Sequence, residues 1–133
     1  MKKKFSNSWN SSKQVRKQRK YRYNAPLHVK HKFLSSHLSK ELMKKYGTRN
    51  IPVKKGDTVK VAVGQFKNHT GKVQKVLLSK SKVHIEGVEL IKKDGTRVYY
   101  PVHASNLIIT ILDLADKKRQ KILQRSSNEQ KTS

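Results

Sequence analysis

Residues 55–73 read KGDTVKVAVGQFKNHTGKV, and the fold turns on whether this stretch cradles a nucleotide or builds a sheet. Val59, Val61 and Val63 alternate with Thr58, Lys60 and Ala62, the period of a half-buried strand. Gly56-Asp57 opens that strand as a turn, in which the carboxylate can accept from nearby backbone amides. Gly64 and Gly71 stand where the chain leaves and re-enters the sheet, places that call for positive φ or close backbone approach. A P-loop needs G-x-x-x-x-G-K-[ST] and a helix behind it to present N–H groups to the phosphate. Here six residues separate Gly64 from Gly71, Lys72 is followed by Val73, and the next segment is strand-like. Spacing, the missing magnesium ligand and context all exclude the nucleotide site.

Further strands extend outward from this hairpin. Val73, Val76 and Leu77 break strict alternation, which predicts a bulge near Gln74-Lys75. Lys82 to Gly87 carries Val83 and Ile85. Asp94-Gly95, inside Ile91 to Val98, is a strong hairpin signal. Leu107 to Leu112 makes a last strand. Five short strands with tight turns over residues 51–112 predict a mainly β fold, a small closed or nearly closed barrel; the alternative is an open sheet covered by a helix. Tyr99 and Tyr100 alternate, so one is expected in the core and one at the surface.

Two helices flank this unit. Ser36 is a candidate N-cap for a helix in which Leu38, Leu42 and Tyr46 recur every fourth residue before Gly47. A terminal helix is expected over Ala115 to Arg125, with Lys117–Lys121 as its solvated face, and the tail beyond Ser126 is polar and expected to fray. The division expected is therefore a basic arm at 1–35, a short helix and connector at 36–50, the barrel at 51–112, and a terminal helix with its tail at 113–133.

Charge decides the partner class. The 133 residues hold 32 Lys and Arg against eight Asp and Glu, a formal charge of +24. Self-repulsion of that size opposes a free compact state and calls for an anionic partner. Residues 1–50 are the extreme, with 15 cations and the single acid Glu41. Their stretch from Lys13 to Tyr23 has too little apolar surface to offset chain entropy unaided, so the arm is expected to be ordered on its partner. No apolar run approaches the roughly 20 residues a membrane span needs. MKKKFSNSWN turns polar too soon for a signal peptide, and no cysteine is present, which fits a reducing interior and the cytosol.

Catalytic chemistry finds no support. His28, His31 and His37 lack the carboxylate or thiolate company of a metal site, so no metal and no cofactor is expected. Asp57, Glu86, Glu89 and Asp94 look like turn and strand-surface residues without partners, and no catalytic residue is assigned. The residues suited to RNA are cations and rings. On the arm they are Lys13, Arg16, Lys17, Arg19, Lys20, Arg22, Tyr23, His28, Lys30, His31 and Lys32, a mixture for phosphate neutralisation and stacking. Arg49, Lys54, Lys55 and Lys72 add phosphate contacts. In the loop, Phe66 can stack on a base, Lys67 and His69 can meet phosphates, and Asn68 can bond 2′-hydroxyls or base edges. Gly56, Gly64, Gly71 and Gly95 are assigned to turns.

Lys55 to Val73 resembles the KOW motif. The flanks narrow that resemblance: QRKYRYNAPLH at 18–28, LSKEL at 38–42, KYG at 45–47, IPV at 51–53, the Asp94-Gly95 hairpin and YPVHASN at 100–106. Together they resemble the archaeal and eukaryotic branch of a large-subunit ribosomal protein family, universal family twenty-four and number twenty-six in eukaryotes. The resemblance covers roughly residues 14 to 124. It implies an SH3-like barrel that binds the 5′ region of large-subunit rRNA, acts early in subunit assembly and lies near the polypeptide exit tunnel. The implied partners are large-subunit rRNA, neighbouring ribosomal proteins and factors docking at the tunnel exit, in the cytoplasmic ribosome. The family usually has glycine where Asn68 stands; Asn tolerates the left-handed region, so the loop shape is expected to survive. Two alternatives stay open: a KOW-type transcription elongation module, and a peptide-reading barrel that would need a cage from Phe66, Tyr99 and Tyr100.

Overall fold

In the computed structural model, residues 5–8 and 11–129 are described. The remainder, including Trp9 and the last residues of the expected frayed tail, lies outside them. The chain runs α1 (Val15–Asn24), α2 (Leu27–Phe33), β1 (Ser35–Leu38), α3 (Lys40–Tyr46), β2 (Asn50–Pro52), β3 (Thr58–Val61), β4 (Thr70–Leu77), β5 (Lys82–Ile85), β6 (Glu89–Ile91), β7 (Arg97–Tyr99), β8 (Val102–His103), β9 (Leu107–Ile111) and α4 (Lys117–Glu129). Among the described residues, seven strands form one mixed sheet in the order β2-β1-β9-β3-β4-β5-β8, and β6 and β7 form a separate hairpin.

The central hairpin follows its sequence. β3 pairs antiparallel with β4, placing Val59 opposite Gly71. Val59, Val61 and Val73 are fully buried, and burial of a branched aliphatic contributes about 1.5–3 kcal/mol. Register shifts between Val73 and Lys75, the bulge expected there. At the β6–β7 turn, Asp94 Oδ1 accepts from the Thr96 N–H at 3.0 Å and the Lys92 N–H donates to Thr96 O at 2.9 Å, closing a three-residue loop with Gly95 at φ 87°.

The closed barrel is not formed. β2 and β8 end the sheet and are not paired with each other. Both are short, and α2 packs against β2 and the single turn Leu78–Lys80, so a helix covers that edge instead of a strand. The sheet also recruits β1 from ahead of residue 51. β1 runs antiparallel to β2 and parallel to β9.

That strand corrects the expected helix start. Ser36 is buried in β1, where its hydroxyl donates to Ala104 O. Leu38 also belongs to the strand, and α3 begins at Lys40 behind Ser39, whose side chain accepts from the Leu42 N–H at 3.4 Å. The four-residue recurrence of Leu38, Leu42 and Tyr46 therefore straddled a strand end and a helix. Gly47 closes α3 at φ 64°, as expected. Val63 lies past the end of β3 and is exposed, because the chain has already turned into the loop. Tyr99 and Tyr100 do not divide between core and surface. Each is 38% exposed, since β6–β7 stands off the main sheet.

Within the arm, Tyr21 is flanked by Phe5 at 4.9 Å and Phe33 at 6.1 Å between ring centroids. Tyr23, two residues on, is exposed. Ala25 and Leu34, at the ends of the arm's helices, are buried.

The largest correction concerns Asp57, which is no surface turn residue. It is fully buried and forms a two-pronged ion pair with Arg119 of α4, at 2.6 and 2.7 Å. Its carboxylate also accepts the backbone N–H groups of Lys54 and Asp113, both at 2.9 Å. Arg119 is only 3% exposed and donates further to the carbonyls of Asp113 and Pro52. The terminal helix therefore has an inward charge where a solvated face was expected. Its Leu123 is buried too, and α4 packs on α3.

Candidate nucleic-acid interface

Helix α1 carries Arg16, Lys17, Arg19, Lys20, Arg22 and Tyr23, all exposed. Arg16, Lys20 and Tyr23 follow i, i+4, i+7 spacing and so share one face. Lys13 precedes this helix and is exposed as well. Arg22 differs from its neighbours, because its guanidinium lies 5.9 Å over the Phe33 ring. On α2, His28 and Lys32 are exposed while Lys30 and His31 are half-buried. Arg49 is exposed ahead of β2. Among the described residues, no group of three or more His, Asp or Glu side chains could hold a metal ion. None of the helices there is long and apolar enough to cross a membrane.

The fold brings several of these cations together. His31, Lys54 and Lys55 line one groove of about 510 Å³ with Gln74, Lys75, Val76 and Leu78. Gln74 and Lys75 were missed as site residues, although the bulge marked them: an inserted residue re-aims the side chains beside it. Lys54 is also paired with Asp116, and its hydrogen bond holds the Asp116 carboxyl below the usual carboxylate range.

The β3–β4 loop is braced by its own backbone hydrogen bonds. The Asn68 N–H donates to Val61 O at 2.8 Å, the Lys67 N–H to Gly64 O at 3.1 Å and the His69 N–H to Phe66 O at 3.1 Å. Asn68 adopts φ 69°, the left-handed conformation expected of it in place of glycine. Lys67 and Asn68 are exposed at the tip, and Lys72 is exposed on β4. Phe66 turns inward, half-buried against the core, with its ring 5.4 Å from that of Tyr100. His69 folds back to Glu86, its Nε2 lying 3.0 Å from the backbone carbonyl oxygen. Gly71 has a packing reason: a Cβ there would stand 2.4 Å from Glu86 O and 2.9 Å from Ile85 Cγ2. Gly64 has a conformational one, φ 104° in open space. Tyr99 stacks on His84 at 5.4 Å, so the three rings of the peptide-reader alternative do not converge into a cage.

His103 faces the same end of the sheet. Burial lowers its pKa, and the cations Lys82 and Arg22 lower it further. Its Nδ1 accepts the Ser105 N–H at 3.2 Å, so the neutral ring carries its proton on Nε2.

A sheet-rich, strongly cationic chain with exposed cations on its arm, beside its groove and on its loop has the build of a ribosomal protein. The family model for the eukaryotic ribosomal proteins L26 and their archaeal counterparts, numbered twenty-four, matches residues 12–126, and the chain belongs to that family. Its role is that of a structural protein of the large ribosomal subunit.

Proposed function

We propose that this chain binds the 5′ region of large-subunit rRNA, acts early in assembly of the subunit and lies near the polypeptide exit tunnel, in the cytoplasmic ribosome, beside neighbouring ribosomal proteins and factors that dock there. On this reading the core is an SH3-like sheet opened at one edge, and the arm completes its folding on RNA. The observation that carries it is the placement of charge within a member of this family. Arg16, Arg19 and Lys20 on α1, Lys55 beside the groove and Lys67 at the loop tip are exposed, and no acidic side chain pairs with any of them among the described residues. Cations presented without internal partners suit the phosphates of a polymer. Electrostatic contacts of this kind release counterions, with a slope of about −0.9 per phosphate on duplex and about −0.7 on single strands.

The test is affinity for an rRNA 5′-domain fragment across a salt series, with random duplex DNA of equal length as competitor. A steep slope with preference for the rRNA fragment is expected. A shallow slope, or equal affinity for the DNA, refutes the reading.

A further inference from the structure

Between the β3–β4 loop and the segment 100–106 lies a narrow slot walled by Phe66, Tyr100 and Pro101 and rimmed by Gln65, Lys82 and Asn106. Its walls are held in place by the backbone. The Tyr100 N–H donates to Val88 O at 2.9 Å, and the Ala62 N–H donates to Asn106 O at 2.8 Å, which ties the loop to the opposite wall. The carboxamides of Gln65 and Asn106 have no hydrogen-bond partner among the described residues. His103 also lines the slot and carries an Nε2–H donor in its neutral form. Apolar walls with a few convergent polar groups are the usual build of a binding site.

We propose that this slot takes one unstacked base of a single-stranded RNA segment, with the adjoining phosphate on Lys82. The inference rests on the RNA-binding reading above and adds the site and the form of the ligand. Three observations favour a base. Unpaired bases are recognised by stacking on rings and by bonds to side-chain amides, and this slot combines both. The groove at α2, by contrast, sets Lys54, Lys55 and Lys75 over aliphatic side chains with the His31 imidazole as its one ring, so cations dominate it and it suits backbone phosphate. Finally, Lys82 and Arg22 lie close enough to His103 to act on it electrostatically, and a cationic peptide would be repelled there.

The experiment uses the full chain with a short single-stranded RNA carrying 2-aminopurine, the same strand with abasic sites, and a duplex of equal length. Wild-type protein is expected to favour the base-bearing strand over the abasic one. Tyr100→Ala should lower affinity for the base-bearing strand about tenfold and leave the abasic strand and the duplex within about twofold, since stacking on an aromatic side chain is worth that much per base. Tyr100→Phe keeps the ring and should keep the affinity. Lys75→Ala, in the α2 groove, should weaken all three ligands alike. Equal losses on all ligands for Tyr100→Ala, or no loss at all, overturn the slot while leaving RNA binding intact. Absence of RNA binding by the wild type overturns both. Tighter binding of an acidic peptide at the slot, displaced by none of the RNAs, would assign it to a protein partner instead and likewise overturn the proposal.

Discussion

Replacing Arg119 by Met should cost this protein about 3 kcal/mol of stability, although the residue lies outside the sheet. The guanidinium meets both carboxylate oxygens of Asp57, which is fully buried. Removing one partner of a buried pair typically costs about 3–5 kcal/mol, because the other charge stays behind without compensation. Asp57 keeps the N–H groups of Lys54 and Asp113, which places the cost at the lower end. Met fills much of the space left by the arginine stem, so a cavity adds little. The expected fall in Tm is about 10 °C for a chain of this size. Urea unfolding followed by circular dichroism, at fixed salt, gives the free energy. A double-mutant cycle with Asp57→Asn should return a coupling of about 1–3 kcal/mol. A loss below about 1 kcal/mol for Arg119→Met, the value of a surface pair, would refute the reasoning. It would mean that water reaches the pair or that α4 detaches at little cost.

Gly71→Ala drives a Cβ into the carbonyl of Glu86 and should cost about 1–3 kcal/mol, with the β4–β5 amides exchanging faster. Gly64→Ala should cost at least about 1 kcal/mol through backbone strain alone and leave β4–β5 exchange unchanged, because nothing lies within 4 Å. Asn68→Gly should be neutral or slightly stabilising, whereas Asn68→Val should lose about 1–2 kcal/mol in the left-handed conformation; thermal melts separate the two. His103 sets a pH dependence. Its folded pKa lies below the unfolded value of about 6.5, so its contribution is complete above that pH. As pH falls below it the unfolded chain takes up the proton first and stability declines, down to the folded pKa. Urea melts of wild type and His103→Asn from pH 7.5 to 5 should diverge in that sense, and parallel curves would contradict it.

Local features were legible in the sequence. The Val59–Val61 alternation, the bulge before Lys75, the Asp94-Gly95 turn and Gly47 at the end of α3 each depend on windows of a few residues. Side-chain period and turn chemistry act over that range. The cations of the arm were equally visible as a charge excess, and the motifs from 18 to 106 carried the family. Pairing between distant segments was not visible. Ser36 and Leu38 look like the start of a helix until β1 lies beside β9, about seventy residues away. Asp57 and Arg119 are one turn acid and one of many helix cations until folding buries both at once. From the sequence Phe66 reads only as a loop ring able to stack on a base, and the structure sets it against Tyr100 in a slot that also draws on Lys82 and Asn106.

The sequence by itself thus determined which stretches extend, where they turn and that the partner is a polyanion, because propensity and net charge are properties of short windows and of sums. Only the tertiary structure decided that the sheet stays open, that a buried ion pair locks α4 to it and that rings and amides converge beside the loop. Those outcomes depend on which surfaces exclude water together, and that is settled by three-dimensional packing.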